Sequence, residues 1–288
     1  MIHRITLGLC LLLAMSVQAA TVRLVDDAGQ TLEFTQPPQR IISLTPHLTE
    51  LLFAVGAGSQ VVGVDSASDF PADAKTLPRV GDFSRINFER VLALKPDLVI
   101  VWLGGNRPAD IHGLKKMGVP VLQTQATRLE DVARLLRLIG QASGHAALGN
   151  AAAQKFSEQL AALEVPTRRH PRIKVFYQVW DRPLMTVGGT HWINDALSLC
   201  GARNVFADLR GQSPVVSREA VLQRAPALIV GGGNDVPDMR RTWQSFASLP
   251  AVKNNAFVSV DADLLHRPTP RLIEGVAGLC AAIRPYAR

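Results

Sequence analysis

A chain of 288 residues with 31 Lys+Arg against 24 Asp+Glu carries a formal net charge of +7. The basic excess is dispersed, with no long Lys/Arg run and no interleaved aromatics, which argues against a nucleic-acid partner. The length suits two modest domains, each able to bury a core.

The first twenty residues have the layout of an export signal. Arg4 gives the positive start, Ile5 to Met15 is an apolar run too short to span a bilayer, and Val17-Gln18-Ala19 followed by Ala20 is a small-residue cleavage site. Cys10 sits inside the leucine run instead of ending it after small residues, so a lipid anchor fits poorly. Cleavage removes one basic residue, Arg4, and leaves 268 residues with a net charge of +6. Two cysteines remain, Cys200 and Cys280. Export favours a disulfide between them, with a pair of buried thiols as the alternative.

Val22 to Phe34 reads as a hairpin turning at Asp26-Asp27-Ala28-Gly29. Arg40 to Leu44 is a short apolar strand running into the helix Leu48 to Val55. Strands at Val61 to Val64, Leu98 to Trp102 and Val119 to Leu122 alternate with helices at Asn87 to Leu94 and Pro108 to Met117. Thr127-Arg128-Leu129-Glu130 has the form of a capping box opening a helix from Glu130 to Ile139. Ala146 to Leu163 is a longer helical stretch, suited to join two lobes. A second series follows: strand Ile173 to Val179, helix Trp192 to Leu199, a helix–strand unit within Val216 to Val230, strand Phe257 to Val260 and helix Arg271 to Ile283. Alternating strands and helices imply mainly parallel sheets covered on both faces. The reading divides the chain into a signal (1–20), a first α/β lobe (21–142), a linking helix region (143–166) and a second α/β lobe (167–288).

Two echoes point to duplication. NFERVLALKPDLVIV (87–101) stacks without a gap on SREAVLQRAPALIVG (217–231), and ELLFAVGA (50–57) resembles DALSLCGA (195–202). Similar lobes enclose a cleft, a favoured place for a small ligand. In the first pair Phe88, Val91 and Leu92 share a face, with Glu89 on its flank and Glu219 placed identically. A carboxylate in a first helical turn is favoured by the helix dipole. Matching carboxylates on two lobes also suit a partner with matching basic sockets.

No nucleophile elbow, zincin motif or Walker loop is present, so the chain reads as non-catalytic. Gly231-Gly232-Gly233 reads as a glycine turn after a strand. His47, His191 and His266 fall near strand ends, where they are placed to line a cleft; isolated loop histidines are more often solvated or hydrogen-bonded than metal ligands. Strand ends carry Phe83, Trp102, Gly104, Gly105, Tyr177, Trp180, Met185, Asp263 and Arg267, the rim where open α/β sheets bind ligands. The aromatics offer flat apolar area. The glycines leave room for a bulky ligand near the backbone.

Pro46-His47-Leu48-Thr49-Glu50-Leu51, Ser68-Asp69-Phe70-Pro71, Asn87 through Ile100, Trp102 with Gly104-Gly105-Asn106, Ser217-Arg218-Glu219 and Pro270-Arg271 together resemble the periplasmic vitamin B12-binding proteins of bacterial ABC importers. These are solute-binding proteins whose lobes are joined by one long helix. The resemblance covers nearly the whole chain after the signal. It implies a periplasmic receptor, monomeric when free, that binds cobalamin or a related corrinoid, with no resident cofactor or metal. It also implies an importer permease and its ATPase subunit as partners. Glu89 and Glu219 fall on docking carboxylates, Phe83 and Trp102 on aromatic corrin contacts, Asp263 and Arg267 on polar ligand contacts, and Cys200 and Cys280 on a disulfide pair. The chain departs from the family pattern at four places. Ala67 stands for a tyrosine, Met185 for a phenylalanine, and Ser213 and Leu264 for tryptophans, so the cleft has less stacking area. Ferric siderophores and haem, ligands of related helix-linked proteins, are the alternative cargo.

Overall fold

Two four-stranded parallel sheets with one strand order carry the chain, as the internal repeat requires. The computed structural model describes residues 21–82, 85–163, 172–233 and 236–286; the signal segment 1–20 lies outside them. An antiparallel hairpin, β1 (Val22–Val25) and β2 (Thr31–Phe34), precedes the first sheet. That sheet contains β3 (Ile41–Ser43), β4 (Val61–Val64), β5 (Leu98–Trp102) and β6 (Val121–Thr124), in the order β4-β3-β5-β6. The second contains β7 (Ile173–Gln178), β8 (Ala202–Asn204), β9 (Leu228–Gly232) and β10 (Phe257–Val260), in the order β8-β7-β9-β10. In each, the first strand is central, the second lies on one side, and the third and fourth lie on the other. The strand order therefore reverses beside the first strand of both sheets, the switch point outside which open α/β sheets take ligands.

The helices follow the same duplication. In the first half, α1 (Pro46–Ala54) follows β3, α2 (Phe88–Ala93) precedes β5, α3 (Pro108–Lys116) precedes β6, and α4 (Asp131–Ala142) follows it. After α5 (Ala146–Leu163), α6 (Ile193–Leu199) precedes β8 and α7 (Arg218–Arg224) precedes β9. Next come α8 (Val236–Trp243), α9 (Pro250–Lys253), α10 (Ala262–Leu265) and α11 (Leu272–Ile283). The repeated segments share their cap, their left-handed exit and their strand-entry bond. Asn87 caps α2 by accepting from Arg90 N–H, and Ser217 caps α7 by accepting from Ala220 N–H. Both helices end in a left-handed residue, Lys95 (φ 47°) and Ala225 (φ 45°). Both then enter their strand through equivalent bonds, Asp97 N–H to Arg40 C=O and Ala227 N–H to Lys174 C=O.

Each sheet buries an outer apolar cluster of its own. Ile42, Val80, Val99 and Val101 belong to the first, and Phe176, Phe206, Ile229 and Trp243 to the second. A third cluster runs without interruption from Leu24 through both sheets to Ile283. The helix α5 packs on α4 of the first half and touches α11 of the second. The disulfide Cys200–Cys280 ties the end of α6 to α11.

Local expectations are corrected in three places. The capping box is not used: α4 begins at Asp131, whose own carboxylate accepts from the backbone N–H of Thr127 and Arg128. Asp131 reaches back to hold the preceding turn, so Thr127 does not act as the cap. Leu92 is 44% exposed, because the six-residue α2 turns only Val91 fully inward. Gly231 and Gly232 lie in β9, not in a turn. A Cβ on Gly232 would stand 2.3 Å from His266 Nε2 and 2.7 Å from the Tyr177 hydroxyl, so the missing side chain makes room for that pair. The cleft histidines are buried or half-buried, and two are hydrogen-bonded as expected, His266 to Tyr177 and His191 accepting from Ile193 N–H.

Candidate functional site: the seam between the two sheets

The strand ends of the two sheets meet in a seam floored by rings. Trp102, the last residue of β5, is half-buried, and His47 from the first turn of α1 meets it edge-on at 5.2 Å. Across the seam stands Trp192, fully buried at the start of α6, its ring 6.5 Å from that of Trp102. Trp192 is held by its Nε1–H donating to Leu265 C=O at 2.9 Å and by His191, 4.0 Å away ring to ring. Tyr177, at the end of β7, hydrogen-bonds His266 at 2.9 Å. Burial pushes His47 down to about 3, with the charge of Arg267 adding to it. Burial likewise pushes His191 to about 3 and His266 to about 4. All three imidazoles are therefore neutral near pH 7. His47 Nε2 and Trp102 Nε1 are buried and have no hydrogen-bond partner.

An ion network closes one side of the seam. Glu50, in α1, has a side chain only 2% exposed. It accepts from Arg267 Nη1 at 3.0 Å, from Arg271 Nε at 3.0 Å and from Arg271 Nη2 at 2.7 Å, all across the seam. The Arg271 pair is bidentate, the strong form of this contact. Arg267 also reaches Asp69 at 2.6 Å and Asp263 at 2.7 Å. Its bond to Asp69 holds that carboxyl below the usual range. Arg271 lies 3.9 Å over the Phe70 ring. The second echo recurs here. Asp195, the counterpart of Glu50 in α6, accepts from Arg128 of the first half at 2.6 Å. Each half thus grips the equivalent carboxylate of the other. On a third side, Gln212 donates to Ala126 C=O at 2.7 Å.

The sequence-derived site residues distribute as follows. Trp102, Asp263 and Arg267 lie at the seam. Phe83 lies outside the described residues. Gly104 and Gly105 are exposed, and the space a Cβ would need is filled by the Trp102 ring, 2.7 and 2.3 Å away. Their bareness lets this turn lie on the indole. Met185 is half-buried, bridged to Trp180 and to Val215, while Ser213 is exposed in the same Gly211–Val216 segment. Glu89 and Glu219 are exposed in the first turns of α2 and α7, with Glu219 held below its ordinary pKa by its own backbone N–H and by Ser217. Sequence reasoning missed Glu50, Arg271, Trp192 and Gln212 as seam residues. One signal existed for Glu50: a carboxylate among Leu48, Leu51 and Leu52 in a short apolar helix calls for a buried cation. Among the described residues, no group of three or more His, Cys, Asp or Glu could hold a metal ion. A groove of about 570 Å³ runs along Asp181–Leu184, Val216 and Arg218.

Comparison with known proteins decides the family. The model of the periplasmic binding protein family matches residues 41–264. The chain belongs to the periplasmic binding protein family. Within it, the vitamin B12-binding protein of Vibrio parahaemolyticus is 36% identical over 247 residues, 85% of this chain and 89% of that one. The crystal structure of the periplasmic vitamin B12 binding protein BtuF of Vibrio cholerae superposes with a TM-score of 0.78 at 36% identity, covering 86% of this chain and 98% of the other. The periplasmic heme-binding protein RhuT of Roseiflexus superposes with a TM-score of 0.76 at 25% identity, covering 87% and 99%. Two parallel-sheet α/β lobes with helices are the fold of these relatives and the fold described above.

Proposed function

We propose that this chain is a non-catalytic receptor for cobalamin or a related corrinoid. It is exported by cleavage of residues 1–20, collects its ligand in the periplasm as a monomer, and delivers it to an ABC importer whose separate subunit hydrolyses ATP. In this reading residues 21–142 and 167–288 are the two lobes and 143–166 the link. The observation that carries it is the 36% identity to vitamin B12-binding proteins along nearly the full length of both chains. The seam adds chemical sense. A large, partly flat, amide-bearing ligand suits tryptophan faces bordered by carboxylates and arginines. Asp263 and Arg267 meet its polar edge, and Glu89 and Glu219 meet basic residues of the permease. The continuous buried cluster and the Glu50 network oppose wide separation of the halves, so ligand entry uses a modest opening. Calorimetric titration with cyanocobalamin, cobinamide, haemin and a ferric siderophore tests the assignment. One corrinoid per chain is expected. Tight haemin or siderophore binding with no corrinoid binding overturns it.

Haem is the second reading, favoured by His47. Its buried, neutral, unpartnered Nε2 is the form of imidazole that ligates iron. The same titration separates the two.

A further inference from the structure

The two halves match strand for strand, and one of the connections in which they differ lies at their ligand-facing edge. In the first sheet β3 passes into α1 through residues 44–45 alone; in the second, β7 reaches α6 through residues 179–192. The longer connection is built out at the carboxyl end of the central strand. It doubles back on itself, Trp180 pairing with Met185, and Met185 pairs in turn with Val215 of the neighbouring segment. Residues directly paired across antiparallel bridges present their side chains on the same side. Trp180, Met185 and Val215 therefore form one apolar ledge.

This ledge is left open to solvent. Trp180 is 60% exposed and Val215 63%, whereas Trp192 and Trp243 are buried. The indole is nevertheless fixed, because its Nε1–H donates to Arg182 C=O at 3.1 Å. A held, uncovered aromatic face loses little freedom when something flat settles on it. Its place follows from Gln212, which bonds Ala126 of the other half. A Cβ on Gly104 would stand 2.6 Å from Gln212 Oε1, so this segment also touches the turn below Trp102. Three residues of chain reach at most about 10 Å. Val215, three residues after Gln212, is therefore within that distance of the seam.

We infer that the Trp180–Met185–Val215 ledge is a stacking platform for one face of a planar macrocycle held at the seam, and that Trp180 sets ligand preference. The inference rests on the proposed corrinoid reading. Trp180 supplies exposed flat aromatic area on the second lobe, where Trp192 and Trp243 are buried.

Trp180→Ala and Trp180→Phe are compared with the unaltered protein by calorimetry against cyanocobalamin and cobinamide, with iodide quenching of tryptophan emission as a second readout. The alanine variant is expected to bind about tenfold or more weakly, the effect of truncating an aromatic anchor. The phenylalanine variant should stay within about threefold, since a ring face is retained. Saturating corrinoid should protect the emission from iodide in the unaltered protein. Unchanged affinity in Trp180→Ala, with iodide still quenching the complex, overturns the inference and leaves the corrinoid reading standing. So does a variant that keeps its ligand but no longer binds the permease, which would make the ledge a docking surface. Failure of the unaltered protein to bind any corrinoid removes the proposed function and this inference with it.

Discussion

Replacing Glu50 by alanine removes the centre of the seam network. Three hydrogen bonds from two arginines disappear with one carboxylate. Arg271, whose side chain is 24% exposed, is left with the Phe70 face, while Arg267, 13% exposed, keeps Asp69 and Asp263. Breaking a buried ion pair by deleting one partner costs about 3–5 kcal/mol. The two remaining carboxylates of Arg267 place this case at about 3 kcal/mol, the low end of that range. For a chain of this size each kcal/mol moves the midpoint by about 2–4 °C, so Tm should fall by about 6–12 °C in scanning calorimetry. Adding Arg271→Ala to Glu50→Ala should cost little more than Glu50→Ala alone, because both remove one interaction. A fall smaller than about 2 °C, or full additivity of the two changes, would refute the view that Glu50 joins the halves.

Stability should decline in acid through the seam histidines. Folded His47 and His191 titrate near 3 and His266 near 4, against 6.5 when unrestrained. The unfolded chain takes up more protons in that interval, so this stability is complete above pH 6.5 and lost as pH falls toward 4 and below. Guanidinium midpoints should be lower at about pH 4.5 than at about pH 7.5, and equal midpoints would contradict the burial. The Cys200–Cys280 bridge closes an 80-residue separation, so reduction should lower stability by up to about 4 kcal/mol in the chain-entropy model. Free-thiol titration of periplasmic material should find none, and two thiols per chain would refute the bridge in vivo. Glu89→Arg with Glu219→Arg should leave ligand affinity and melting temperature nearly intact, because both side chains are exposed. Uptake should be abolished, since two contacts read together exceed either alone. Surviving uptake would reduce both carboxylates to helix-terminus charges.

The sequence was most legible where one local pattern occurs twice. The segments 87–101 and 217–231 show cap, helix, proline and apolar strand in register, and their structures match down to the left-handed residues Lys95 and Ala225. Helix α5 was legible because no Gly or Pro interrupts it after Gly149. By contrast, β8 is Ala-Arg-Asn, a strand made by pairing with β7 and not by its own apolar residues. The short helices α9 and α10 carry too few turns for a period to emerge. At the site, residue types pointed to Trp102, Asp263 and Arg267, but not to what they touch. Glu50 lies more than two hundred residues before Arg267, and only the packing of the halves brings them together. The role of Gly104 and Gly105 was hidden for a local reason: the ring that fills their space belongs to Trp102, two and three residues earlier, and residue types alone do not say which way it folds.

The central claim is that a corrinoid sits between the strand ends of the two sheets. A crystal structure of the protein grown with saturating cyanocobalamin tests it most directly. The account predicts a corrin ring between the Trp102 side and the Trp180 side of the seam, its polar edge toward Asp263 and Arg267. A corrin bound on an outer face, or a ligand-free seam under those conditions, would contradict it.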